Sequence, residues 1–336
     1  MSDIFCGLGW GPSGLACLWG VVAFFASAGP SQSQTDTIDF LMDWRPQAEQ
    51  GGFYQAAQTG LYDAAGLNVK LRAGGPQTDP ARMLAAGAVD AAMISNAFQA
   101  LNLIALDADV VIVMAAFQKD PQILMAHAQS GAKTLQDLRG KPLFIGDATV
   151  GTFWQWLKAT QGYQDRQIRK YNYSLAPWMI SQSAAQQGYV TSEPFTAQQA
   201  GAEPTVFLLA DNGYKGYAAM VGVTRDLVTE NPKAVAAFVA ANQRGWYDYL
   251  YGDPSAANAR ILRDNKEMTP QLLAHARRAM INYALVGDAA AGPAAVGQMQ
   301  RARWASLLDE VAALGLYDAD LNIEKGITAR FLMPAP

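Results

Sequence analysis

Residues 37–75 read "TIDFLMDWRPQAEQGGFYQAAQTGLYDAAGLNVKLRAGG". The first eight alternate and are rich in β-formers, "GGFYQAAQTGLYDAAG" carries apolar residues at helical spacing, and "LNVKLRAGG" returns to strand character. This is a β-α-β unit. "DPARMLAAGAVDAAMIS" repeats the scheme, with Pro80 near a helix start and Gly87 near its end, and "DADVVIVMAAF" is a continuous apolar run typical of a strand covered on both faces. From about Phe117 the pattern restarts with "TLQDLRGKPLFIG", "TVGTFWQWLKATQG", "QQGYVTSEPF" and "EPTVFLLADNGY". Beyond Gly222 the chain reads as helical, with Asn231-Pro232 and Pro270 at helix starts.

Alternating strands and helices imply an α/β protein with parallel sheets, and the restart implies two lobes. In such folds ligands sit beyond the carboxyl ends of strands, which places the turn from Asp43 to Tyr54 at a cleft.

The chain has 336 residues, half of them apolar, enough for a large core or two smaller ones. Its net charge is −4 and no Lys or Arg run is present, which argues against nucleic acid as a partner. Both cysteines, Cys6 and Cys17, lie in the first twenty residues. The segment "LACLWGVVAFFA" there is too short to span a bilayer stably, and Ala26-Ser27-Ala28 follows as a small-x-small site. Residues 1–28 therefore read as a removable export signal and 29–35 as a linker, although Asp3 stands where such signals are normally basic. The mature protein expected from this cleavage contains no cysteine, so it offers no disulfide, thiolate metal site or cysteine nucleophile. A periplasmic location fits.

The blocks "DWRPQAEQGGFYQAAQTGLYDAAGLNVKLRAGGPQTDP", "LAAGAVDAAMIS", "DLRGKPLFIG" and "GYVTSEPF", in that order, resemble the NMT1/THI5-like family of periplasmic solute-binding proteins. The resemblance covers nearly all of the expected mature chain. It implies a two-lobed periplasmic-binding-protein-like fold of type II with two hinge crossovers, closing on a small molecule for an ABC permease and ATPase. One branch of that family synthesises a thiamine pyrimidine, with Asn and a sacrificial His near its start and a cysteine-rich iron motif. Here Gln47 stands at the Asn position, Gln50 at the His position, and no cysteine follows Cys17. No enzyme activity, cofactor or metal is expected.

Candidate ligand contacts follow from position. Trp44, Pro46 and Tyr54 flank the first strand-to-helix turn, where an indole and a phenol can sandwich a flat ring. Ser95 and Asn96 follow a strand directly and either reach the ligand or cap a helix. Thr149, Gly151 and Thr152 open a helix, where free backbone N–H groups gather. At most one of Trp154 and Trp156 points into the cleft. Glu193 reads as the end of a strand, before Pro194 stops its ladder, with a carboxylate able to accept from an amino-heterocycle. Tyr214 lies near the return crossover, lining the cleft or covering the hinge.

The expected protein is a monomeric receptor with one lobe formed by 36–117 plus 219–336 and the other by 118–218. A thiamine-precursor pyrimidine is the first choice of ligand, riboflavin or another heterocycle the second. Sulfonates rank third, because Arg45 is the only basic residue in the proposed cleft stretches.

Overall fold

The computed structural model describes residues 36–334, so the proposed export signal and linker lie outside the described residues. The chain begins with β1 (Asp36–Leu41), α1 (Gly51–Gln58), α2 (Leu61–Ala64), β2 (Leu67–Arg72), α3 (Pro80–Ala85), β3 (Ala91–Asn96), α4 (Ala97–Ala105) and β4 (Val110–Phe117). It then builds β5 (Gln122–His127), β6 (Leu143–Ile145), α5 (Phe153–Gln161), β7 (Ile168–Lys170), α6 (Ala176–Ile180), β8 (Ala185–Tyr189), α7 (Glu193–Gln199) and β9 (Pro204–Leu208). It returns through β10 (Ala218–Thr224) and continues as α8 (Arg225–Glu230), α9 (Pro232–Tyr251), α10 (Ser255–Asp264), α11 (Pro270–Asn282) and α12 (Arg301–Ala313).

Two five-stranded sheets result, ordered β2-β1-β3-β10-β4 and β7-β6-β8-β5-β9. Each sheet centres one lobe. They are mixed rather than all parallel, which corrects the sequence reading. The reason is the crossing itself: β10 enters the first sheet antiparallel to β3 and β4, and β5 enters the second antiparallel to β8 and β9. The chain passes between sheets twice, from Phe117 to Gln122 and from Leu208 to Ala218.

Local chemistry sets the helix starts. The Asp79 side chain accepts the Arg82 amide ahead of Pro80, and Asn231 accepts the Ala234 amide ahead of Pro232. α1 lies close against α9, since a Cβ on Gly52 would stand 2.2 Å from the Trp246 indole. Trp246 is fully buried between Phe53 and Phe117. Burying a large apolar side chain of this kind contributes about 1.5–3 kcal/mol. The packing fixes where α1 begins and so fixes the turn that precedes it.

Candidate functional site

Between the sheets lies a cleft of about 790 Å³, walled by the turn after β1, the ends of β3 and β8, and the loop from Tyr171 to Leu175. Trp44, half-buried, forms part of one wall, and Tyr173 meets it from the other lobe with ring centroids 4.5 Å apart. Tyr173 itself has φ 63°, a left-handed conformation that bulky residues rarely adopt.

Five acidic residues line this space: Asp43, Glu49, Asp79, Glu193 and Glu267. Asp43 accepts from Gln50 Nε2 at 2.9 Å and from Ser95 Oγ at 2.7 Å, and burial raises its pKa against those hydrogen bonds. Glu49 is 3% exposed and accepts from Thr191 Oγ1 of the other lobe. Desolvation pushes its carboxyl up to about 7, with the charges of Glu193 and Asp43 adding to the rise. Glu193 Oε2 accepts from the Tyr189 amide at 2.7 Å and from Ser192 Oγ at 2.5 Å, and Oε1 accepts from Tyr171 Oη at 3.2 Å. Its side chain folds back over Gly188, where any Cβ would come within 2.7 Å of it.

Opposing these acids is a single basic residue on the described lining, Arg45, and its guanidinium is engaged by Glu267. Gln187 supplies a donor. Its Oε1 is held by the Gly146 amide at 2.7 Å and Thr149 Oγ1 at 2.8 Å, and Nε2 has no acceptor among the described residues. With Tyr173 displaced from Trp44, the site can stack a flat ring, accept several N–H bonds and donate at least one.

Residues 47–257, well over half the chain, match the family described as NMT1/THI5 like. The chain belongs to the NMT1/THI5-like family. This NMT1/THI5-like chain is 24% identical over 232 residues to the riboflavin-binding protein RibY of Chloroflexus aurantiacus, covering 67% of this chain and 66% of that protein, just under two thirds. It is 24% identical over 260 residues to the formylaminopyrimidine-binding protein of Halalkalibacterium halodurans, covering 73% and 77% of the two chains. Among solved structures, the alkanesulfonate-binding protein SsuA of Xanthomonas axonopodis pv. citri bound to MOPS superposes with TM-score 0.63 at 15% identity, over 87% of this chain and 98% of that one. The fold is thus that of periplasmic binding proteins.

In this NMT1/THI5-like cleft the structure brings together Trp44, Ser95, Asn96, Thr149 and Glu193. Asn96 and Thr149, like Ser95 and Glu193 above, are engaged in local support. Asn96 caps α4 by accepting the Gln99 amide at 3.1 Å, and Thr149 holds Gln187.

The other five candidates do not line the cleft. Pro46 is buried with its carbonyl accepting from Asn265 at 2.9 Å, on the side of α10 and α11. Tyr54 is buried in the core of the first lobe, its phenol near Arg260 and Asp264 of α10, because the helical turn carries it away from Trp44. Gly151 is exposed, and Thr152 is buried as the residue ahead of α5, donating to the Thr149 carbonyl at 3.2 Å. Tyr214 is buried beside the hinge, between Phe98 of one lobe and Trp156 of the other, at 5.3 Å from each.

Neither Trp154 nor Trp156 reaches the cleft: Trp154 donates to Asp165 at 2.8 Å and Trp156 packs on Tyr214. Glu193 also changes place. β8 ends at Tyr189, and Glu193 opens α7 with Pro194 in its first turn, so the proline starts a helix rather than ending a ladder. Sequence reasoning missed Asp43, Glu49, Gln187 and Tyr173. Asp43 and Glu49 stand inside the singled-out turn, and only their burial separates them from ordinary loop acids.

Proposed function

We propose that this chain is the solute receptor of an ABC importer and that it takes a planar amino-heterocycle, with a thiamine-precursor pyrimidine as first choice. It is a binding protein and not an enzyme; both named relatives are binding proteins. The observation that carries the ligand class is the pairing of an aromatic wall at Trp44 with carboxylates whose one basic neighbour, Arg45, is occupied by Glu267. A carboxylate accepts well from an exocyclic amino group beside a ring nitrogen. A flavin edge places one N–H between two carbonyls, which face carboxylate oxygens unfavourably. A sulfonate wants several cations, and the described lining offers one, Arg45, paired with Glu267.

In this reading residues 36–117 plus 219–336 and residues 118–218 rotate about the two crossovers and close on the ligand. The closed monomer then engages permease and ATPase subunits, after export to the periplasm directed by residues 1–28. Trp44, Ser95, Asn96, Thr149 and Glu193 line the pocket in this proposal, joined by Asp43, Glu49, Gln187 and Tyr173.

A thermal-shift screen of pyrimidines, flavins, purines and sulfonates tests it. A ligand at about 100 times its dissociation constant stabilises by about 2.7 kcal/mol. Amino-pyrimidines should raise the melting temperature and sulfonates should not; a shift with sulfonates alone overturns the ligand class.

A further inference from the structure

Glu49 occupies an unusual position. It is almost fully buried, lines the cleft of one lobe, and is bonded by Thr191 from the other. An ionised carboxylate in such a place costs several kcal/mol unless it is paired with a positive charge. Among the described residues none is paired with it: Asp43 and Glu193 are acids, Tyr189 and Tyr249 are phenols close enough to feel its charge, Arg45 is held by Glu267, and on α11 Arg277 donates to the Tyr249, Leu250 and Gly252 carbonyls while His275 and Arg278 line a different pocket. No described cation pairs with this carboxylate, and it lines the cleft in which the proposed ligand would sit. Gln187, also more than nine-tenths buried, lines the same cleft, and its Nε2 has no acceptor among the described residues.

We propose that Glu49 sets the charge of the ligand: the cleft takes an amino-heterocycle in its protonated, cationic form, with the Glu49 carboxylate as counter-charge. This rests on the heterocycle reading above. The proton balance is simple. Before a ligand binds, burial keeps Glu49 protonated up to about pH 7. A neutral aminopyrimidine arriving there receives that proton on a ring nitrogen lone pair, the carboxyl O–H bond breaks, and the resulting ion pair needs no other reactant. A ligand that is already a cation instead expels the Glu49 proton to solvent.

The two kinds of ligand must then show opposite pH dependence. Calorimetric titration of the full mature protein between about pH 6.5 and about pH 8.5 with 4-aminopyrimidine, and with 4-aminopyridine as a stronger base that stays cationic across that range, reads this directly. For 4-aminopyrimidine the affinity should hold level to about pH 7 and then weaken by about tenfold per pH unit, because a proton must be taken up. For 4-aminopyridine it should strengthen up to about pH 7 and level off. Glu49→Gln keeps an acceptor for Thr191, so its melting temperature should stay near wild type, while both pH slopes vanish and 4-aminopyridine weakens by at least about tenfold. Parallel slopes for the two probes, or wild-type slopes in Glu49→Gln, overturn the inference and leave the receptor reading intact. Failure of both probes to bind wild type at any pH removes the amino-heterocycle reading and this inference with it.

Discussion

The indole of Trp44 and the phenol ring of Tyr173, one from each lobe, stand 4.5 Å apart and tilted by 55°. A flat ring placed between them needs about 3.5 Å of clearance on each side, roughly 7 Å in all. Tyr173 therefore sits where a stacked ligand would lie on Trp44, and its left-handed backbone, costing about 1–2 kcal/mol, favours its departure. Trp44→Ala should weaken ligand binding by at least about tenfold, or about 1.4 kcal/mol, with unchanged circular dichroism. Trp44 is the one described tryptophan that is not buried, so ligand-induced quenching of fluorescence should disappear in Trp44→Phe.

Glu193 is held by three donors of its own lobe, so its replacement has two expected effects. Glu193→Gln should cost about 1.5–3 kcal/mol of binding, roughly ten- to 150-fold, and should also lower the melting temperature because one acceptor becomes a donor. Calorimetry and a melting curve on the same preparation separate these effects.

Gly188 should matter as much as the glutamate it faces. Gly188→Ala drives a methyl into the Glu193 side chain, so binding should fall to the level of Glu193→Gln although the carboxylate itself is kept. Wild-type affinity in this variant would show that the Glu193 position is not used.

Asp120, in the first crossover, is buried with the Gln122 amide at 2.8 Å, and desolvation lifts its pKa to about 7. A folded-state pKa above the unfolded one means the native chain holds the extra proton, so this contribution to stability is complete below about pH 4 and is lost as pH rises to about 7. Asp120→Asn keeps the acceptor and removes the titration. It should raise the melting temperature more at pH 8 than at pH 5.

The Tyr214 hydroxyl is buried and has no hydrogen-bond partner among the described residues. Tyr214→Phe should therefore be neutral or stabilising, since an unsatisfied buried hydroxyl is removed. Tyr214→Ala opens a cavity beside the hinge and should cost about 3–5 kcal/mol by denaturant titration.

The β-α-β opening and the caps at Asp79 and Asn231 were legible because they are local: a strand period, a helical period and a side chain reaching three residues along. The end of β8 was not. Val190 and Thr191 are good strand residues, but the partner strand begins at Gln122 after Pro121, which has no N–H to continue the ladder. The stop is written sixty-eight positions before Tyr189, not beside it. Glu49 was hidden for a similar reason. A glutamate in a turn reads as solvated, and what buries it is Thr191, 142 residues away. Trp154 and Trp156 show the converse, since aromatic residues near a predicted cleft are drawn into cores by Asp165 and Tyr214.

The two crossovers leave neighbouring strands and enter neighbouring strands. Ala218 pairs with Phe117 in the first sheet, and Leu208 pairs with Ile123 in the second. Twisting one lobe against the other would shear one of those pairings, whereas swinging them apart bends the stretches between and parts the Glu49–Thr191 and Trp44–Tyr173 contacts. In the proposed closing motion this geometry favours one angular coordinate, and one pair of distance labels, one per lobe, should follow it.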